Sequence, residues 1–145
     1  MMRNPVFFAL LSLSLISVEC TAQAPPNQTP LTQGEFVGRA VQLANEQGSC
    51  VLRREGDASI KMDMPWPCRF SEDRQKRIRV ETFHQTPILM IERSVPDALA
   101  GNDCDTHLQA VRLLGSKLEA APVSRIAMCG PGQWDQKAFH AVFAW

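Results

Sequence analysis

The chain has no surplus charge of either sign: 15 Lys and Arg balance 15 Asp and Glu across 145 residues. Removing the first 22 residues takes away Arg3 and Glu19 together and leaves that balance intact. A neutral chain lacks the basic footprint of a nucleic-acid-binding protein. No apolar run is long enough for a membrane span, since Val6–Val18 has 13 residues where a helix needs about 20. The three histidines, His84, His107 and His140, fall one to a segment, with neither His-x-His nor His-x-x-x-His spacing. That excludes a zinc site built from local ligands. Gly-x-Ser-x-Gly does not occur, which removes the nucleophile elbow of the α/β-hydrolases. No cofactor is expected, and no residue is assigned a catalytic role.

The amino terminus reads as a secretory leader. Met1–Asn4 is a short positive head, Val6–Val18 an apolar core, and Ala22 a small residue at a cleavage site. The expected organisation is a signal peptide over 1–22, a Pro-rich tether over 23–31, and a single domain over 32–145. Cys20 offers a competing lipid anchor. Glu19 occupies the position just before it, where a lipoprotein normally has a small residue, so a soluble periplasmic or secreted protein is the default. Stable membrane insertion is not expected.

Beyond the leader four cysteines remain, Cys50, Cys68, Cys104 and Cys129. An even count in a small exported chain implies two disulfides. Three connectivities are possible; pairing Cys50 with Cys68 and Cys104 with Cys129 closes local stretches that each contain a turn. Loops of this size are worth about 3 kcal/mol apiece in the chain-entropy model, against a total stability of roughly 5–15 kcal/mol.

The elements follow from hydrophobic period. Thr32-Gln33-Gly34-Glu35 fits a capping box, and Phe36, Val37, Ala40, Val41, Leu43 and Ala44 recur at helical spacing up to Gly48, so a first helix is expected over 33–46. The period then drops to two. Cys50–Arg54 and Ala58–Met64 flank a Glu55-Gly56-Asp57 turn, with Ile60, Met62 and Met64 on one face. Arg77–Phe83 alternates with Ile78, Val80 and Thr82 on one side, and Ile88–Ile91 is apolar throughout, the mark of a central strand. Residues 106–121 fit a helix or a hairpin turning at Gly115-Ser116, and the hairpin is preferred. From Trp134 onward, Ala138, Phe139, Val142 and Phe143 suggest a final helix. The expected fold class is therefore α+β, an antiparallel sheet of five or six strands with a helix at each end.

Two stretches stand out chemically. Met62-Asp-Met-Pro-Trp-Pro-Cys68 places Met62, Met64 and Trp66 together, with His84 in the adjoining hairpin, and thioethers with imidazole suit copper(I). This set resembles that of the periplasmic copper chaperones of efflux systems, which combine two methionines, a histidine and a capping tryptophan on a small β-barrel. The resemblance implies a copper(I)-binding protein; it covers these residues only, and here the tryptophan follows the methionine pair instead of preceding it. The competing reading makes Met62 and Met64 core residues on the face of Ile60. Cys129-Gly-Pro-Gly-Gln-Trp-Asp-Gln136 is the second stretch, either a contact loop with Trp134 as anchor or a turn that sends Trp134 inward with Asp135 opening a helix.

Arg77 and Arg79 share a strand face with Glu81, a solvated edge or a surface for an acidic partner. With no metal assigned and the sulfurs committed to cross-links, the function expected is binding of another macromolecule, a secreted enzyme or a toxin, as inhibitors and immunity proteins do. Trp66, Trp134, Asp135, Arg77 and Arg79 are the candidate partner-binding residues, Trp66 because its flanking prolines leave it little entropy to lose. The alternatives are the copper(I) protein and a hydrolase whose site assembles only in space.

Overall fold

The computed structural model describes residues 29–99 and 101–145; the expected leader, its cleavage site and Cys20 lie outside them, as does most of the tether. The α+β expectation is overturned. These residues form two antiparallel sheets and one helix of five residues. The first sheet is a meander of β1 (Gln33–Phe36), β2 (Arg39–Glu46), β3 (Ser49–Arg54) and β4 (Ile60–Pro65) in that spatial order. The second is built on a long hairpin, β7 (Thr86–Pro96) with β8 (Cys104–Leu114). Around it lie β5 (Arg69–Phe70) and β6 (Val80–Phe83) on β7, and β9 (Lys117–Ala120) and β10 (Ser124–Ile126) on β8. The helix, α1, is Gln136–His140.

The expected first helix is instead the β1–β2 hairpin. Val37 and Gly38 take φ of 49° and 70°, the left-handed pair of a two-residue turn, for which glycine at the second position is favoured. Across that turn Phe36 pairs with Arg39 and Glu35 with Ala40. A helix would bury Val37 and Ala40; both are exposed, while Phe36 is buried before the turn and Val41 and Leu43 are buried with period two after it. The apolar positions fit either period, and pairing of β2 with β3 over Val41–Glu46 decides between them. Thr32 does not cap: its carbonyl accepts from the Leu43 amide at 2.8 Å.

The expected final helix shrinks to α1 because the carbonyls around it serve tertiary contacts. Arg79 donates to the Trp134 carbonyl at 2.6 Å, Trp145 Nε1 to that of His140 at 2.8 Å, and Arg112 to that of Ala144 at 3.0 Å. This segment is laid across the outer face of the second sheet by side-chain donors and packing. Arg77–Phe83 is likewise not one strand: Ile78 makes a single bridge to Glu72, and β6 begins at Val80.

The core has two layers. Phe36, Leu52, Met62 and Met64 of the first sheet meet Phe70, Leu89, Ile91 and Val111 of the second. On the far side, Ile88, Met90, Leu108 and Ala110 are covered by Trp134 and Phe139. Ile88–Ile91 is thus buried on both faces, which is why its sequence shows no alternation. Cys50 bonds to Cys68, joining β3 to the approach to β5, and Cys104 bonds to Cys129, joining β8 to the C-terminal segment. These are the pairs that close the local loops. No helix among the described residues is long and apolar enough to cross a membrane.

Candidate functional site

The two unusual sequence stretches meet. Pro67 and Cys68 from the first and Gly130 and Pro131 from the second line one cleft with Pro30, Arg69, Glu92, Arg93 and Ser94. Each loop is held by a disulfide, at Cys68 and at Cys129, and each contains a cis proline, Pro67 and Pro131. The cleft encloses about 190 Å³, below the roughly 300–1,000 Å³ typical of small-molecule sites. It suits a single side chain.

Glu92 is the centre of this site. It follows the doubly buried run of β7 and is 1% exposed. Its Oε2 accepts from Ser71 Oγ at 2.7 Å and from the Trp134 indole N–H. Its Oε1 is buried with no hydrogen-bond partner. Arg69 Nε stands 3.9 Å from Oε1, beyond hydrogen-bonding reach, and is itself buried and unpartnered. The far end of the Arg69 guanidinium is occupied by Glu72 at 3.0 Å. Arg93 Nε is a third buried, unpartnered atom among residues lining the cleft. Burial pushes the Glu92 carboxyl above its ordinary range; the Trp134 and Ser71 hydrogen bonds and the Arg69 charge oppose this, and Glu72 reinforces it.

Ser94 supplies the cleft's hydroxyl. Its Oγ lies 2.7 Å from Thr106 Oγ1 and accepts from the Gly130 amide at 2.9 Å. A hydrolase would need a base beside it, and no histidine lines this cleft. A larger, more open depression of about 580 Å³, lined by residues including Gln33, Val41 and Arg53, contains none of the buried unpartnered atoms found here.

The sequence-derived candidates are dispersed. Trp66 is partly buried against the inter-sheet core, and its amide bonds to the Gly48 carbonyl at 2.8 Å. Trp134 is 6% exposed and turns inward to Glu92. Asp135 caps α1, accepting from the Lys137 amide at 2.8 Å. Arg79 pairs with Glu81 at 2.6 Å and lies over the Phe139 ring, while Arg77 is exposed and pairs with Asp73 at 3.1 Å. Arg79, Trp134 and Asp135 meet at one shallow depression whose lining does not include Trp66.

Met62 and Met64 are 2% and 4% exposed between the sheets. His84 is exposed on the β6–β7 turn, stacked at 4.1 Å on Phe83, which packs against the outer core layer. The second sheet therefore separates the methionines from the histidine. Among the described residues, no three His, Cys, Asp or Glu side chains are grouped to hold a metal ion.

Sequence reasoning missed Glu92, Arg93 and Ser94. The available signal was a charged pair continuing directly from the buried run Ile88–Ile91, since a charge on a strand covered on both faces needs partners or a ligand. Comparison with family models, with curated proteins and with solved structures yields no match to this chain.

Proposed function

We propose that this chain acts in an oxidising, extracytoplasmic compartment by binding a protein partner, in the manner of an inhibitor or immunity protein, and not by catalysis. The observation that supports this reading is the preformed cleft between two disulfide-anchored loops, beside the buried carboxyl of Glu92, whose Oε1 makes no hydrogen bond. Preformed walls reduce what ordering on association costs. Arg69 beside Glu92 favours a polar group over an aliphatic one. The adjacent Trp66 loop, tied down by Cys68, extends the contact surface.

The test is affinity isolation of the disulfide-bonded protein from its native compartment. One discrete protein retained at fixed stoichiometry, and lost with both Trp66→Ala and Gly130→Ala, supports the reading. Turnover of a substrate by the isolated chain, with no complex formed, overturns it.

A further inference from the structure

We infer that the outer edge of β1 receives an extended segment of the partner, which adds to the first sheet as a further antiparallel strand. This rests on the binding reading above and names where and how the partner docks. The argument starts from the backbone. The Leu43 amide donates to the Thr32 carbonyl at 2.8 Å, so Thr32 and Leu43 form a hydrogen-bonded pair. Pair types alternate along an antiparallel ladder, which makes Gly34–Val41 and Phe36–Arg39 hydrogen-bonded pairs as well. Gln33 and Glu35 lie between these pairs and turn their N–H and C=O groups to the open side. Neither residue makes a hydrogen bond there to any described residue. The edge thus offers two donors and two acceptors in sets about 7 Å apart, a spacing that the backbone of another strand repeats.

The opposite edge of the same sheet is closed. There β4 ends in Pro65, and Gln109 takes the Asp63 amide, and both features hinder pairing with another chain. β1 contains no proline. A groove of about 680 Å³ adjoins its open edge, bounded by Gln33, Gly34 and Glu35 and by Leu31, Ile78 and Val80. The cleft holds about 190 Å³, so the groove is the place for main chain and side chains together. Pro30 lines the cleft and Leu31 the groove, which makes the two surfaces neighbours.

The lining also defines the sequence pattern that fits. In an added strand, residues opposite Gln33 and Glu35 share their face, and the residues between them point to the same side as Gly34. On that side Ile78 packs so closely that a Cβ on Gly34 would fall 2.6 Å from its Cδ1, and Val80 is 41% exposed nearby. The intervening positions therefore suit apolar, β-branched residues. Among the charged residues of the groove, Asp73 pairs with Arg77 and Lys76 with Glu72. Glu35 makes no ion pair with any described residue. A lysine or arginine opposite Glu35 completes the match.

The experiment follows backbone amides of the disulfide-bonded protein by ¹⁵N–¹H correlation NMR during titration with the peptide acetyl-Thr-Val-Lys-Val-Thr-amide. In the free protein, hydrogen exchange is expected to be fast at Gln33 and Glu35 and slow at Gly34 and Phe36; equal protection overturns the inference. With peptide, saturable shifts at Gln33 and Glu35 are expected. A backbone N-methyl group on the peptide's Lys, whose N–H meets Glu35, should weaken binding at least about tenfold. The same group on a Val, whose N–H faces away, should leave it. Glu35→Pro removes only an outward N–H and should abolish the response with the remaining amides still dispersed. Glu35→Gln should weaken binding roughly two- to fivefold. No response, equal loss with both N-methyl peptides, or a response that survives Glu35→Pro overturns the inference. So do Gln33 and Glu35 shifts that follow protein concentration without peptide, which mark a second copy as the occupant. If a partner is captured and Glu35→Pro still retains it, the edge inference fails and the binding reading stands. If neither peptide nor partner binds, both fail.

Discussion

Gln109 of β8 grips Asp63 of β4 at two points: its Oε1 accepts from the Asp63 amide at 2.8 Å, and its Nε2 donates to the Asp63 carboxylate at 2.9 Å. The same Nε2 donates to the Ala121 carbonyl at 2.9 Å. One buried side chain thus ties the edge strand of the first sheet to the second. It also satisfies an edge amide that would otherwise be left for another chain to pair with.

Replacing Gln109 with Leu removes all three bonds and strands the Asp63 amide and the Ala121 carbonyl. The expected loss is about 1–3 kcal/mol, the cost of leaving the buried Ala121 carbonyl unpaired, because the part-buried Asp63 amide can turn to water. Urea denaturation measures it as a lower midpoint with an unchanged slope. Asp63→Asn keeps the amide contact and is expected to cost less.

Trp134→Phe retains ring packing and deletes the indole donor to Glu92. A hydrogen bond to a charged group is worth about 1.5–3 kcal/mol, so a loss of about 2 kcal/mol is expected. The Glu92 carboxyl should move further above its ordinary range, because that hydrogen bond is the largest opposing influence on it. Side-chain carboxyl NMR titration reads the shift.

Glu92 also sets a pH dependence. Its folded-state pKa is raised by burial, so the native state holds a proton that the unfolded chain has already released. Its contribution to stability is full below the unfolded carboxylate range and is lost as pH rises through the raised value. Glu92→Gln removes this component. Thermal melts of both proteins from acidic to neutral pH should show a stability difference, wild type minus variant, that falls as pH rises. A difference independent of pH would contradict the assignment.

Opening the second disulfide with Cys104→Ser and Cys129→Ser releases a link with a sequence separation of 25. The chain-entropy model gives a loss of about 3 kcal/mol, read as a lowered melting temperature. Because Cys129 precedes Gly130, the Gly130 amide should also become less protected from hydrogen exchange, although its acceptor Ser94 is unchanged.

Met62→Ala tests the placement of the methionines between the sheets. A fully buried Met→Ala change costs about 2–5 kcal/mol, and denaturation should show a loss in that range. A surface thioether free to take copper(I) would cost far less.

How much was legible depended on the range of the interaction. The Met62 and Met64 stripe, the unbroken apolar run at Ile88–Ile91 and the Gly115-Ser116 turn follow from side-chain period or turn chemistry within a few residues, and the cysteine pairs from closing the shorter loops, with separations of 18 and 25. Phe36–Ala44 did not, because its apolar positions satisfy both helical and strand spacing. The tie is broken by Val41–Glu46 lying against Ser49–Arg54, a preference that exists only once β3 is there to pair. The C-terminal segment was misjudged for a related reason: Arg79 and Trp145 claim the Trp134 and His140 carbonyls, which a continuous helix would have used.

The amino-acid sequence alone determined the chain's neutrality, the four cysteines from Cys50 onward, the turn residues and the alternation that divides inner from outer faces. Each is a property of neighbouring residues or of composition. Tertiary structure decided which apolar stripes became strands and that the two proline-bearing loops would share a cleft. It also made Glu92 a buried, half-satisfied carboxyl, because Ser71 and Trp134, 21 and 42 positions away, come to it only when the sheet has formed. Desolvation depends on what surrounds a charge in space, and no local pattern records that.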